Sequence, residues 1–490
     1  MERKNILIII ADQLAWRALE IYGDKYSRTP AIDSICRDAA VFDSCYTPFP
    51  LCQPARAAFW TGLYPHETNV LSNGMKWPAE PIKDNIITIG EVFRNAGYRT
   101  VHFGKKHDAG TLRGFECAEE KEVKIENESP SWPLNMDTYR DRYTAEEAVK
   151  FLDGLDEDKP VFMIADFVNP HNICGYIGAF EGKHENPGEH TAIHTHMRNN
   201  GSALPELPPN FSIDDFKNRP LPVQYICCSH NRQAQASKWT PDNYRHYLAA
   251  YYYYLKIVDD EIKKVLDALE RSGRKKDTLI LFTSDHGDSM ASRRRVTKDV
   301  DFYEEVTRVP FIFTGQGVRN LYIKGRPVSL LDIFPTLCGY AGIDIPAGQR
   351  GIDLSAVLSG GEFPHREYVI SQWHTEWGYT VEPGRMLVTD KYKYIKYLEG
   401  SAEELYDLSR DPWEKTNQAG NIDYKEALEK CRALFREYLA ETGDNFESLS
   451  YLAEPMWRSH TPGYENHEGP AAPAWNWAQY GHPFRKKAEA

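Results

Sequence analysis

Residues 5–12 read Asn5-Ile6-Leu7-Ile8-Ile9-Ile10-Ala11-Asp12. The apolar run from Ile6 to Ala11 is far shorter than the roughly 20 residues a membrane helix needs, and it ends on a carboxylate. With only five residues ahead of it, it reads as a buried strand and not as a signal peptide. Outward from this strand, apolar runs alternate with helical patterns over about the first 370 residues, the rhythm of an open α/β sheet. Further strands are expected at 99–103, Val161–Phe167, Thr278–Thr283 and 309–313. The clearest helix is expected over 241–272. Thr240 can cap it, Pro241 suits its first turn, and Gly273 sits where a left-handed residue is wanted. Its Tyr251-Tyr252-Tyr253-Tyr254 run points around a whole turn, which predicts packing and not a binding box.

The chain has 490 residues, of which 41 % are apolar, enough for two or three units at about 100 to 200 residues each. Between 172 and 240 the periodicity fails and Pro, Gly, Asn and His accumulate, which predicts a long irregular insertion. His184, His190, His194 and His196 fall within it, at spacings that fit no metal template, and read as solvated loop residues. After about residue 380 a short antiparallel signature follows at 385–388, Tyr392–Tyr397 and 404–408, then a helix over 424–442 and a tail rich in Trp, Pro and Tyr. The expected architecture is α/β: a large, mostly parallel sheet flanked by helices over 1–375, and a smaller α+β domain with a short antiparallel sheet over 376–490.

A net charge of −13, with both signs spread along the chain, argues against a nucleic-acid or anionic-membrane surface. An anionic substrate therefore needs a local cationic pocket. The nine cysteines form no C-x-x-C pair and no zinc spacing, so disulfides are not the framework, and all but Cys52 read as small buried residues. As written, the chain reads as cytoplasmic, or as periplasmic or secreted if a leader has been removed.

Asp12 ends the first strand where open α/β sheets collect ligands. A second acidic strand end is Thr283-Ser284-Asp285-His286-Gly287-Asp288, in which glycine is expected to let the backbone turn sharply. Two such ends in one sheet make an oxygen-rich cation site that favours Ca²⁺, ahead of Mg²⁺ or Mn²⁺. The stretch Leu51-Cys52-Gln53-Pro54-Ala55-Arg56-Ala57-Ala58-Phe59-Trp60-Thr61-Gly62 puts a thiol, a proline and a cation at a helix start.

Cys-x-Pro-x-Arg followed by this Gly resembles the signature of the type I sulfatases of the alkaline phosphatase superfamily, in which a separate maturation enzyme converts the Cys to formylglycine. Phe103-Gly104-Lys105-Lys106-His107 resembles the family's Gly-Lys-x-His, Asn169-Pro170-His171 its strand-end Pro-His, and Lys298 the Lys ahead of its Tyr-Glu-Glu segment, here Tyr303-Glu304-Glu305. Glu404-Leu405-Tyr406-Asp407-Leu408 with Asp411-Pro412 looks like its C-terminal hallmark. Two positions depart from the common pattern: Gln13 replaces a second Asp, and His286 an Asn.

The resemblance implies a sulfuric ester hydrolase with Asp12, Cys52, Asp285 and His286 around Ca²⁺. One geminal hydroxyl of hydrated formylglycine at 52 would attack sulfur, and the other would expel sulfate. Arg56 and Lys105 would hold the hydrate and the cation-site oxygens, His107 would act as base, and Lys298 and His171 would grip sulfate, one of them protonating the leaving oxygen. Aromatic residues in the insertion and tail suit a sulfated sugar, such as a glycosaminoglycan fragment. Two alternatives stand: a phosphonate monoester or phosphodiester hydrolase of the same superfamily, and an immature, non-catalytic anion-binding protein that keeps its thiol. Arg293-Arg294-Arg295 reads as a solvated run, with contact to an anionic substrate as the alternative.

Overall fold

A computed structural model describes residues 4–73, 81–118, 136–155, 159–179, 193, 195, 204–213, 220, 231–236, 239–298, 302–374, 383–398 and 403–448. The four histidines singled out in the insertion, Cys227, Cys228 and the aromatic-rich tail lie outside them.

The central sheet contains β1 (Asn5–Ala11), β2 (Ala39–Tyr46), β3 (Arg99–Gly104), β4 (Glu116–Cys117), β5 (Val161–Phe167), β6 (Thr278–Thr283), β7 (Arg308–Gly315), β8 (Leu321–Ile323) and β9 (Val328–Ser329). Their order is β4-β3-β5-β1-β6-β7-β2-β8, with β9 also on β2. Every pairing is parallel except those of β7 with β6 and β2. The unbroken apolar run of β1 has a simple cause. Leu7, Ile9 and Ala11 face one core, with the helices Pro30–Cys36, Met136–Asp153 and Pro241–Arg271. Ile6, Ile8 and Ile10 face the other, with Cys52–Thr61, Ile89–Asn95 and Ile333–Ala341. A strand covered on both faces has no polar side to show.

The helix Pro241–Arg271 starts as expected: the Thr240 hydroxyl accepts from Asn243 N at 3.3 Å, and Gly273 is left-handed with φ 72°. Tyr251 and Tyr254 are fully buried. The insertion is not wholly irregular, because Ile173–Ala179 and Asn231–Ala236 are helical.

A second sheet has the antiparallel order β10 (Val369–Trp373), β11 (Gly384–Val388), β12 (Tyr392–Tyr397) and β13 (Glu404–Asp407). It opens ahead of the expected boundary at 375, since sequence reasoning did not foresee β10. One face packs on Phe49, Leu51 and Phe302 of the larger part. The other packs on Leu428, Leu434 and Phe435 of the helix Lys425–Thr442. No disulfide is present among the described residues, and none of their helices is long and apolar enough to cross a membrane.

Candidate active site

Four neighbouring parallel strands, β3-β5-β1-β6, end at the same edge, because Gly104 pairs with Asp166, Ala11 with Phe167 and Ile10 with Thr283. The residues that follow are thereby brought side by side: Lys105 after β3, His171 after β5, Asp12 and Gln13 after β1, and Asp285 and His286 after β6. Cys52 arrives from a different direction, as the first residue of the helix Cys52–Thr61. Arg56 stands one turn further along that helix, so both side chains reach the same point. The helix stops at Gly62, left-handed with φ 68°.

Asp12, Cys52, Asp285 and His286 are all buried, and one ligand atom from each lies within 4.8 Å of every other. The Cys52 Sγ is 3.2 Å from His286 Nε2 and 3.1 Å from Lys298 Nζ, which donates to it. His286 Nδ1 donates to the Gly287 carbonyl at 2.9 Å. A carbonyl only accepts, so Nδ1 carries a hydrogen, and in the neutral ring Nε2 has its lone pair for the site. Arg56, 1 % exposed, is bracketed by three carboxylates: Nε donates to Asp285 at 3.1 Å, Nη2 to Asp12 at 3.0 Å, and Nη1 to Asp166. Lys105 Nζ donates to Asp12. Arg56 and Lys105 therefore hold the carboxylates of the candidate cation site; none of Arg56's hydrogen bonds goes to Cys52 among the described residues.

The electrostatics follow from this crowding. Burial pushes the Cys52 thiol up, but Lys105, Lys298 and His286 beside it hold it well below the usual thiol range. Asp12 is likewise held low by Lys105, His171 and Arg56 against burial. Asp285 is pushed up by burial and by the facing charge of Asp12. Two buried acids sharing one space, with an imidazole lone pair aimed into it, match the donor set of a hard divalent cation. Burial, Lys298 and Lys105 hold His171 down at about 3. His107 Nε2 faces the Asn73 carbonyl at 3.3 Å, so this nitrogen carries the hydrogen and Nδ1 the lone pair.

Several side chains at the site went unread in the sequence. Asp166 is one, although a lone acid inside the apolar strand Val161–Phe167 was a usable signal. Asp288 is another: its carboxylate accepts from Gln13 Nε2 at 2.7 Å and from Tyr247 Oη at 2.7 Å. The Tyr251 hydroxyl, expected only to pack, donates to the Gln13 carbonyl at 2.7 Å and accepts from Ala15 N at 2.9 Å. Gly287 is needed for a different reason from the one expected. Its φ is not left-handed; instead, an added Cβ would lie 2.0 Å from the Glu305 carbonyl oxygen. The Arg293-Arg294-Arg295 run is not solvated throughout, since Arg293 and Arg295 are buried. Arg293 stacks on Tyr303 at 3.8 Å and bonds the Trp413 carbonyl, and only Arg294 is exposed.

Residues 4–343 match the family model described as Sulfatase, and residues 298–441 match one described as N-sulphoglucosamine sulphohydrolase, C-terminal. The chain belongs to the sulfatase family. As a sulfatase it is a sulfuric ester hydrolase. It is 44 % identical over 478 residues, 96 % of each chain, to a Delta 4,5-hexuronate-2-O-sulfatase of Bacteroides thetaiotaomicron. A solved structure of a 2-O GAG sulfatase superposes with a TM-score of 0.85 and 43 % identity, covering 96 % of this sulfatase and 99 % of that chain. The phosphonate monoester hydrolase of Agrobacterium radiobacter shares the fold at a TM-score of 0.69 and 21 % identity, covering 92 % of this sulfatase and 97 % of that chain. The fold alone thus does not separate sulfate from phosphonate chemistry.

Proposed function

We propose that this sulfatase removes the 2-O-sulfate of a hexuronate in a small glycosaminoglycan-derived saccharide. The observation that carries the substrate is the 44 % identity over 96 % of both chains with a Delta 4,5-hexuronate-2-O-sulfatase. Cys52 is proposed as the precursor of formylglycine, made by a maturation enzyme; its Sγ marks where an oxygen of the hydrated aldehyde would stand. In that form the residue supplies two geminal hydroxyls, one to attack sulfur and one to expel sulfate. Asp12, Asp285 and His286 would hold Ca²⁺, which when bound neutralises charge on sulfate and nucleophile oxygens.

The chain's own groups do the rest. Arg56 and Lys105 keep the two carboxylates aimed inward and offset their mutual repulsion. Lys298, already 3.1 Å from the Cys52 sulfur, is placed to grip a sulfate oxygen. His171 is neutral beside two ammonium groups, so Lys298 is the group that brings a proton to the leaving oxygen, with His171 as a neutral hydrogen-bond donor. His107, through Nδ1, takes the proton when sulfate is expelled. We further assign catalysis to the part up to about residue 375, with the second sheet as a supporting unit.

The test is sulfate release from unsaturated disaccharides sulfated singly at the uronate 2-O, the amino-sugar 6-O or the amino group. Aryl phosphate and phosphonate esters complete the panel. Turnover confined to the 2-O isomer is expected. Preference for another position removes the substrate, and phosphonate turnover exceeding sulfate turnover removes the reaction class. Peptide mass spectrometry showing only a thiol at Cys52 in active protein would remove the nucleophile.

A further inference from the structure

Gln13 stands where much of the family carries an acidic metal ligand, yet its side chain is committed elsewhere. Its Nε2 donates to Asp288 Oδ2 at 2.7 Å, while its Oε1 accepts from Lys298 Nζ at 2.9 Å and from Cys174 Sγ at 3.5 Å. An amide has one donating end and one accepting end. A carboxylate only accepts, so Asp288 fixes which end of Gln13 faces Lys298. Asp288 is fixed in turn: its other oxygen accepts from Tyr247 Oη at 2.7 Å and Met290 N at 2.8 Å. The Gln13 backbone is pinned as well. Its φ is 65°, left-handed for a residue with a side chain, its N–H donates to Asp285 at 3.1 Å, and its carbonyl takes the Tyr251 hydroxyl.

We propose that Gln13 is a positioning residue for Lys298, its amide oriented by Asp288 and Tyr247, so that the ammonium group stays aimed at the reacting centre. An Asp at 13 would set a second carboxylate against Asp288, so Gln13 and Asp288 form a matched pair. Tyr247 and Tyr251 lie four apart on one face of the helix Pro241–Arg271, which thereby braces the loops after β1 and β6 together. The proposal rests on the sulfatase chemistry above, in which Lys298 grips sulfate.

The experiment is a double-mutant cycle on calcium-loaded, matured protein, with Gln13→Leu and Lys298→Ala singly and together. Inorganic sulfate binding is measured by calorimetry, and kcat and KM on aryl sulfates of graded leaving-group acidity. Gln13→Leu is expected to weaken sulfate binding and lower kcat by about tenfold, the loss being greatest for poor leaving groups. On the Lys298→Ala background it should cost less than about twofold. Tyr247→Phe, the milder change, should give a smaller loss of the same kind, and Asp288→Asn should retain more activity than Asp288→Leu. Equal losses on both backgrounds overturn the proposal. So does a calcium affinity shifted more than about tenfold by Gln13→Leu, which would make Gln13 a ligand. A wild type without sulfate turnover would sink the functional reading instead, while the sulfate-binding cycle would still decide the role of Gln13.

Discussion

Asp166→Asn separates the charge of the site from its shape. The substitution keeps the outline of the side chain but removes the one carboxylate on Arg56 that is not in the buried quartet. Asp166 is separated from Asp12 by the width of the guanidinium and a hydrogen bond on each side, the one to Asp12 being 3.0 Å long; that makes roughly 7 Å. An ion held by Asp12 would sit a further metal–oxygen bond away, at roughly 9 Å, where a unit charge and a divalent ion interact by about 4 kcal/mol at an effective dielectric of about 20. Allowing half for relaxation and water entry leaves about 2 kcal/mol, or about thirtyfold in affinity. Arg56, released from one partner, also competes harder for Asp12 and Asp285, which acts in the same direction. The assay is calcium titration of chelator-stripped protein by calorimetry, with circular dichroism to show that the fold persists. We expect calcium to bind about thirty times more weakly and added calcium to restore most activity. An affinity within twofold of wild type would refute the idea that Asp166 tunes the cation site through Arg56.

Cys52→Ala and Asp285→Ala should each abolish turnover, whereas Arg294→Ala, on an exposed side chain, should leave kcat on a small aryl sulfate within about twofold; steady-state kinetics decides all three. Gly287→Ala would place a methyl 2.0 Å from a backbone oxygen and should cost about 2 to 4 kcal/mol; an unchanged melting temperature would show that the backbone yields. Asp444 is buried against Arg385, with Nε and Nη2 at 2.7 and 3.0 Å. Burial opposes this pair, but Arg385 and Tyr438 hold its carboxyl at about 2, below the ordinary 3.8. The stability it lends, about 2 kcal/mol, is therefore present above pH 4 and lost as pH falls toward 2. In urea unfolding, the gap between wild type and Asp444→Asn should be flat from pH 7 to 5 and close below 4; a constant gap to pH 3 would contradict this.

The extent of β1, β5 and β6 was legible to the residue, because each is a predominantly apolar run, broken only by Asp166 in β5, with polar residues at or just past its end. β2 escaped because its run breaks at Asp43-Ser44, where the register with β7 shifts. β10 escaped because Ser371 and Gln372, although buried, are polar. The burial of Gln372 is made tolerable by partners far away in sequence, since its side-chain amide accepts from His66 N at 3.1 Å and donates to Tyr438 Oη at 2.6 Å, and no local pattern shows that. In the site, the motif residues were visible by kind and spacing, and the strand order explains why they meet. The use of Gln13 was not visible, since it depends on Asp288 across the sheet and Tyr247 behind it. Tyr251 was misjudged because period alone shows which way a ring points and not what its hydroxyl reaches.

The packing around Cys52 carries a consequence for timing. The thiol is 1 % exposed, and Phe49 and Leu51 just before it are locked against Trp373 and Met386 of a sheet encoded more than 300 residues later. If Cys52 is converted as proposed, a maturing enzyme that must grasp this thiol would have a window that closes when the chain's final third docks. Slowing that docking should raise the fraction of converted protein, and hastening it should trap the sulfur unconverted.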